Sequence, residues 1–256
     1  MTSKIIDMTQ TRHYSNAPIT EALVDLRILP MGESGLKTLQ GLRPSLEIDY
    51  PEYEEIVVAQ GQFQQTGSKV TATATQSPSG YRFISANGKQ VFQARLDGFT
   101  LSQLKPYKNW ETLRNEAKRL WELYRQAAQP KSIERIAVRY INRLDLPLEA
   151  SKTLNFKDYL RTVPEVSNDM LQGVTSYFMQ LQIPQNDLNA TLLLNEAIIP
   201  PSQDDFVSVI LDIDLFCTST FSVDDSIHWN LLDEFRVRKN QIFEACITHK
   251  LRELIQ

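Results

Sequence analysis

The sequence predicts an α+β protein built from two copies of one unit: a strand, a short helix, an antiparallel meander and a long helix. Three observations carry that prediction. Apolar–polar alternation opens each half, at Ala22–Ile28 and again at Arg135–Leu146. Short β-rich runs separated by Gly, Asn and Pro follow each opening. A long amphipathic segment then closes each half. Residues 1–13 read as a flexible lead-in, 14–130 as the first repeat and 131–256 as the second, the two repeats forming one compact unit.

In the first half, Asn16-Ala-Pro18 punctuates the start of the Ala22–Ile28 strand. Leu36, Leu39, Leu42 and Leu46 fall at helical spacing, with Ser34 as N-cap and Pro44 ending or kinking the helix near Arg43. The meander runs through Glu55–Gln65, a turn at Gly67-Ser68 and Val70–Thr75. It continues through a turn at Pro78-Ser-Gly80, Tyr81–Ile84, Gln90–Leu96 and Phe99–Leu104. Asn87-Gly88 is its strongest hairpin signal. Asn109 caps the long helix, whose buried face is Trp110, Leu113, Ala117, Leu120, Trp121 and Tyr124, and Pro130 marks its end.

The second half reads as the Arg135–Leu146 strand, a short helix at Phe156–Leu160, and strands at Val174–Ile183, Leu188–Ile198 and Phe206–Phe216. One helix from about Ser226 to Ile255, capped by Asp224 or Asp225, closes it. The order resembles the duplicated TATA-binding-protein-like architecture and the helix-grip folds, a likeness of topology that carries no function.

Hydrophobic residues at 42% and charged residues at 23% give an ordinary globular composition and exclude a disordered chain. A formal net charge of −4 supplies no overall field toward nucleic acid or anionic lipid. Met1–Gln10 lacks an apolar signal core, and no run approaches the roughly 20 apolar residues of a membrane span, so the expected location is the cytoplasm. The two cysteines, Cys217 and Cys246, read as buried reduced thiols. There is no P-loop, GxGxxG, GxSxG or HExxH, and nothing calls for a cofactor or metal.

The candidate site is the opening strand of the second half. Arg139, Ile141, Arg143 and Asp145 share one face; Val138, Tyr140, Asn142 and Leu144 share the other. Two same-face arginines require carboxylates or an anionic ligand, because an unpaired buried charge is very costly. Glu21, Asp25 and Arg27 stand on the first strand, which is expected beside the Arg139–Arg143 strand at a central seam. An ion-pair clasp is the favoured reading. The ligand reading assigns Arg139, Arg143, Tyr140, Asn142, Glu21 and Arg27 to an anion site.

Asp212 and Asp214 could hold a divalent ion, but an outward acidic strand face accounts for them without one. Arg236, Arg238 and Lys239 read as a solvated helix face rather than a phosphate contact. His13, His228 and His249 are scattered. The last two lie 21 residues apart on one expected helix, about 30 Å, too far to share a metal.

Three segments, Tyr14–Ala22 (YSNAPITEA), Arg139–Arg143 (RYINR) and Asn240–Thr248 (NQIFEACIT), together resemble a sporadically distributed prokaryotic protein family of unknown function. The resemblance implies a patchily distributed accessory protein and transfers no catalytic residues. With no catalytic constellation in view, the expected function is a non-enzymatic interaction protein, an accessory component of a defence or toxin–antitoxin type system. Its expected partner is another protein or a second copy. The alternative is an anionic-ligand-binding protein or enzyme with a cavity between sheet and long helix.

Overall fold

Among the described residues the alternating segments join into one antiparallel sheet of nine strands, and that sheet dominates them. The computed structural model describes residues 12, 14–32, 35–66, 69–149, 152–170, 173–224 and 226–256. Apart from Arg12, the expected lead-in lies outside the described residues, as do the Ser34 cap, the Gly67-Ser68 turn, His13 and Asp225.

In chain order the elements are β1 (Ile19–Ile28), α1 (Gly35–Gln40), α2 (Arg43–Leu46), β2 (Glu52–Thr66), β3 (Lys69–Ile84), β4 (Gln90–Arg95), β5 (Gly98–Leu104) and α3 (Trp110–Ala128). They continue with β6 (Ile133–Pro147), β7 (Phe178–Gln185), β8 (Ala190–Ile199), β9 (Phe206–Phe221), α4 (Ile227–Cys246) and α5 (His249–Leu254). The strand order is β2-β3-β4-β5-β1-β6-β9-β8-β7.

This architecture corrects the expectation of two α+β repeats of TATA-binding-protein-like or helix-grip type. The strands form a single continuous sheet, and the helices are a thin layer on it. The expected short helix of the second half is only a 3-10 turn, Phe156–Asp158. The β2–β3 hairpin, at 15 and 16 residues, has no counterpart in the eight-residue β7. Alternation reports which face a side chain takes. It does not report where a sheet ends, and so order of elements alone suggested a repeat.

The seam itself forms as expected. β1 and β6 pair antiparallel, with Ala22 opposite Tyr140 and Leu26 opposite Ile136. Ala22, Val24 and Leu26 point into the core. Phe83, Phe92 and Phe99 stack across β3, β4 and β5 at centroid spacings of 5.6 and 5.3 Å, and Phe99 meets Trp121 and Tyr124 of α3 edge-on. Burying each such ring contributes about 2–3 kcal/mol. Asn109 Oδ1 accepts the Thr112 amide at 2.8 Å and starts α3. α3 and α4 both pack on this aromatic face of the sheet.

Several boundaries differ from the sequence reading. The first helix breaks after Gln40 into α1 and α2, with Pro44 in the first turn of α2, where its missing N–H costs nothing. Pro78-Ser79-Gly80 is a bulge in a continuous β3: Ile56 faces Gly80 and Val57 faces Pro78, so the register with β2 skips Ser79. The final helix is two helices, broken at Ile247, where Thr248 caps α5, so His228 and His249 do not share a helix. At its other end, Ser226 stands at the cap of α4 without a side-chain bond. Gly98 is needed where β5 approaches β1: it has φ +153°, and an added Cβ would lie 2.5 Å from the Leu26 carbonyl oxygen.

One part of the sheet extends past its neighbours. β4 pairs only with Gly80–Ile84 of β3. Val57–Thr66 and Lys69–Pro78 therefore pair only with each other among the described residues. They form a two-stranded arm about 33 Å long, from ten residues at roughly 3.3 Å each.

Candidate functional site

The seam carries its charges on the face opposite α3 and α4. The alternation of β1 and β6 places Glu21, Asp25 and Arg27, with Arg135, Arg139 and Arg143, on that side. Their partners come from strands brought alongside by the sheet. Asp25 is the hub: its carboxylate accepts from Arg27 Nε at 3.1 Å, Arg135 Nη1 at 2.9 Å, Arg95 Nη2 at 3.1 Å and Thr100 Oγ1 at 2.7 Å. Burial alone would raise the Asp25 carboxyl. Arg27, Arg95 and Arg135 and the Thr100 hydroxyl outweigh it and hold the group below the usual range.

The network continues outward. Arg135 also reaches Asp214 at 3.1 Å and lies over the Phe216 ring at 4.5 Å. Burial raises the Asp214 carboxyl despite Arg135 and Arg139 beside it. Arg139 grips Asp212 with two bonds, at 2.8 and 2.7 Å, and Asn195 Nδ2 donates to the same carboxylate at 3.0 Å. Arg143 donates to Asp145 at 3.0 Å and to Ser208 at 3.0 Å, while the Ser208 hydroxyl donates to Asp145. Arg27 and Arg95 share Asp97. Five arginines thus meet five aspartates.

This arrangement is an ion-pair clasp across β4, β1, β6 and β9. It brings Arg27, Arg139 and Arg143 onto one face together with Glu21, and it places Tyr140 and Asn142 on the other. The six residues of the anion-site reading are therefore divided by the sheet. Asp212 and Asp214 are arginine partners rather than an outward acidic face. Sequence reasoning missed Arg95 and Arg135 as members; the signal available was the shared parity of Arg135 and Arg139 on one strand. Among the described residues no group of three or more His, Cys, Asp or Glu could hold a metal ion.

On the helix side, Tyr140 is fully buried, its hydroxyl 3.1 Å from that of Tyr107. Asn142 Nδ2 donates to the Leu211 carbonyl at 3.0 Å. Lys239 of α4 is buried too, 8% exposed, contrary to the solvated helix face expected for it. Its Nζ stands 3.7 Å from the centroid of the Tyr140 ring. Burial, and then the Arg236 charge, pull the Lys239 ammonium down to about 7. Arg238, by contrast, binds Asp187 and Gln185 near the end of β7.

Another buried acid stands on the core-facing side of β8 itself. Glu196 is wholly buried and accepts from Tyr177 Oη at 2.5 Å; among the described residues its Oε2 has no hydrogen-bond partner. Burial raises it to about 7, with the Tyr177 bond opposing. Cys217 and Cys246 are free and buried, as expected. His228 packs between Trp121 and Trp229, and His249 is exposed.

The arm differs in composition from all of this. From Ile56 to Ser79 the sequence holds one charge, Lys69, in a run of Val, Ala, Thr and Gln. Val57 and Val58 are exposed. No described helix is long and apolar enough to cross a membrane. Comparison with protein-family models and with curated proteins returned no match.

Proposed function

We propose that this chain is a non-enzymatic interaction protein that holds a protein partner with its two-stranded arm. The supporting observation is the arm itself. A lone two-stranded ribbon is marginally stable in water, and a free edge strand invites pairing with another chain. Here such a ribbon extends beyond the sheet, nearly without charge, with exposed Val57 and Val58. A polypeptide that adds a strand to it supplies the missing main-chain bonds. One lysine in the arm is too little positive charge for phosphate-dominated binding.

The alternative of an anionic ligand on Arg139 and Arg143 has less in its favour. A ligand there would have to displace Asp212 from a two-bond grip and Asp145 from Arg143.

The test compares the full chain with a shortened one in which an Asn-Gly turn joins Ile56 to Ser79, both tagged and purified from the same cells. The expected result is one stoichiometric protein retained by the full chain and lost by the shortened chain, whose melting temperature stays within a few degrees. Equal retention by both, or no stoichiometric partner with either, overturns the proposal.

A further inference from the structure

Among the described residues the sheet ends on two edges, β2 and β7, and they are chemically unlike. β2 begins with Glu52, Glu54 and Glu55, carboxylates that repel a second copy. β7 has no charge anywhere in Phe178–Gln185. It leaves Phe178 70% and Ile183 38% exposed.

The hydrogen-bonding parity of β7 follows from one bond. The Ile198 amide donates to the Tyr177 carbonyl at 3.2 Å, so position 177 faces β8. Alternation then directs positions 179, 181, 183 and 185 to β8 and 178, 180, 182 and 184 outward. Pro184 fits this parity, since its absent N–H falls on the outer side. The outer edge therefore offers the amides of Phe178, Gln180 and Gln182 and the carbonyls beside them.

We infer that β7 pairs antiparallel with β7 of a second copy about a two-fold axis through Leu181. An axis normal to the sheet keeps each residue on its own face, so partners must share parity. The register centred on Leu181 sets Gln180 opposite Gln182 of the partner and Phe178 opposite Pro184. Every outward amide then has a carbonyl, and Pro184 is needed only as an acceptor. On the core face, Met179 meets Ile183 and Leu181 meets itself, an apolar seam continuous with Leu192 and Leu194 of β8. Moving the axis to Gln182 sets Pro184 against Gln180 and loses bonds at the middle of the ladder. An axis at Gln180 would set Pro184 opposite Ser176, outside the strand, whereas the Leu181 axis keeps Pro184 opposite Phe178, within β7. The edge is thus self-complementary about Leu181, which is what an isologous contact requires. This inference does not depend on the arm's partner.

The test uses sedimentation and cysteine cross-linking of the full chain. At about 50 μM, within the range of modest interfaces, the chain is expected to sediment as a dimer. Gln180→Pro removes an outward amide without touching the β8 ladder, and is expected to weaken the dimer more than tenfold. Leu181→Cys sits opposite itself at a non-hydrogen-bonded pair with Cα atoms about 4.5 Å apart, within disulfide reach. It should form a disulfide-linked dimer under mild oxidation. Ile183→Cys, about 13 Å from its own copy, should not. Native Cys217 and Cys246 are buried and should stay silent. A monomer at 50 μM overturns the inference. So does a dimer that tolerates Gln180→Pro but is lost on shortening the arm, or equal cross-linking at 181 and 183.

Discussion

Replacing Lys239 with Met should make the protein more stable at neutral pH, although it removes a charge that touches an aromatic ring. In the folded chain the ammonium titrates near 7; unfolded, it returns to 10.5. Between those values the unfolded state holds a proton that the folded state lacks, so wild-type stability falls as pH drops from 10.5 toward 7. At pH 7 the accumulated cost is about 4 kcal/mol, from roughly 1.4 kcal/mol per unit. Methionine has nearly the same length and fills the space without a proton to lose. Urea denaturation at pH 7 should show the Lys239→Met chain more stable by about 4 kcal/mol. At pH 9.5 the gap should narrow by about 3 kcal/mol, because the unfolded lysine is then close to its own titration. A gap that does not change with pH would refute the reasoning, since it would mean that the amine titrates alike in both states.

Glu196→Gln should flatten the pH dependence of stability between 4.5 and 7. The folded carboxyl is raised to about 7, so wild type loses roughly 3 kcal/mol as pH rises through that window, and the amide does not; parallel urea curves for the two chains would contradict this. Asp25→Asn leaves Arg27, Arg95 and Arg135 around a neutral group and should cost about 3–5 kcal/mol. Asp97→Asn, at a more exposed carboxylate, should cost under about 1 kcal/mol in the same denaturation experiment. Gly98→Ala must place a methyl against the Leu26 carbonyl at positive φ, and should lower stability by more than about 1 kcal/mol, read as a fall in melting temperature.

The seam was legible in the sequence because its evidence is local. Alternation in Ala22–Ile28 and Arg135–Leu146 assigns faces, and two arginines on one face demand acids. Which acids was not legible: Asp212 and Asp214 reach Arg139 and Arg135 only because β9 lies beside β6, across more than 70 positions of chain. Parity alone already separated Tyr140 and Asn142 from Arg139, which argued against one shared site. Lys239 was read as polar surface by residue type, yet its spacing said otherwise: it lies four residues from both Phe235 and Phe243, in the buried stripe of α4. The arm was hidden by Pro78-Ser79-Gly80, which reads as a turn but is absorbed as a bulge once β2 continues opposite. The fold class failed for a related reason, since the likeness in element order said nothing about one sheet running through both halves.

The place of β1 has a consequence for how the chain is made. β1 lies at the centre of the sheet, yet its β6 neighbour is more than 100 residues later: Glu21 faces Ile141. During synthesis the strands through β5 can assemble while β1 still waits for β6. For that interval its outer backbone groups are an unpaired edge on a nascent half-sheet. Such long-range pairing is slow and exposes aggregation-prone surface. A ribosome stalled after α3 would therefore hold a half-built sheet whose free edge is the strand meant for its middle.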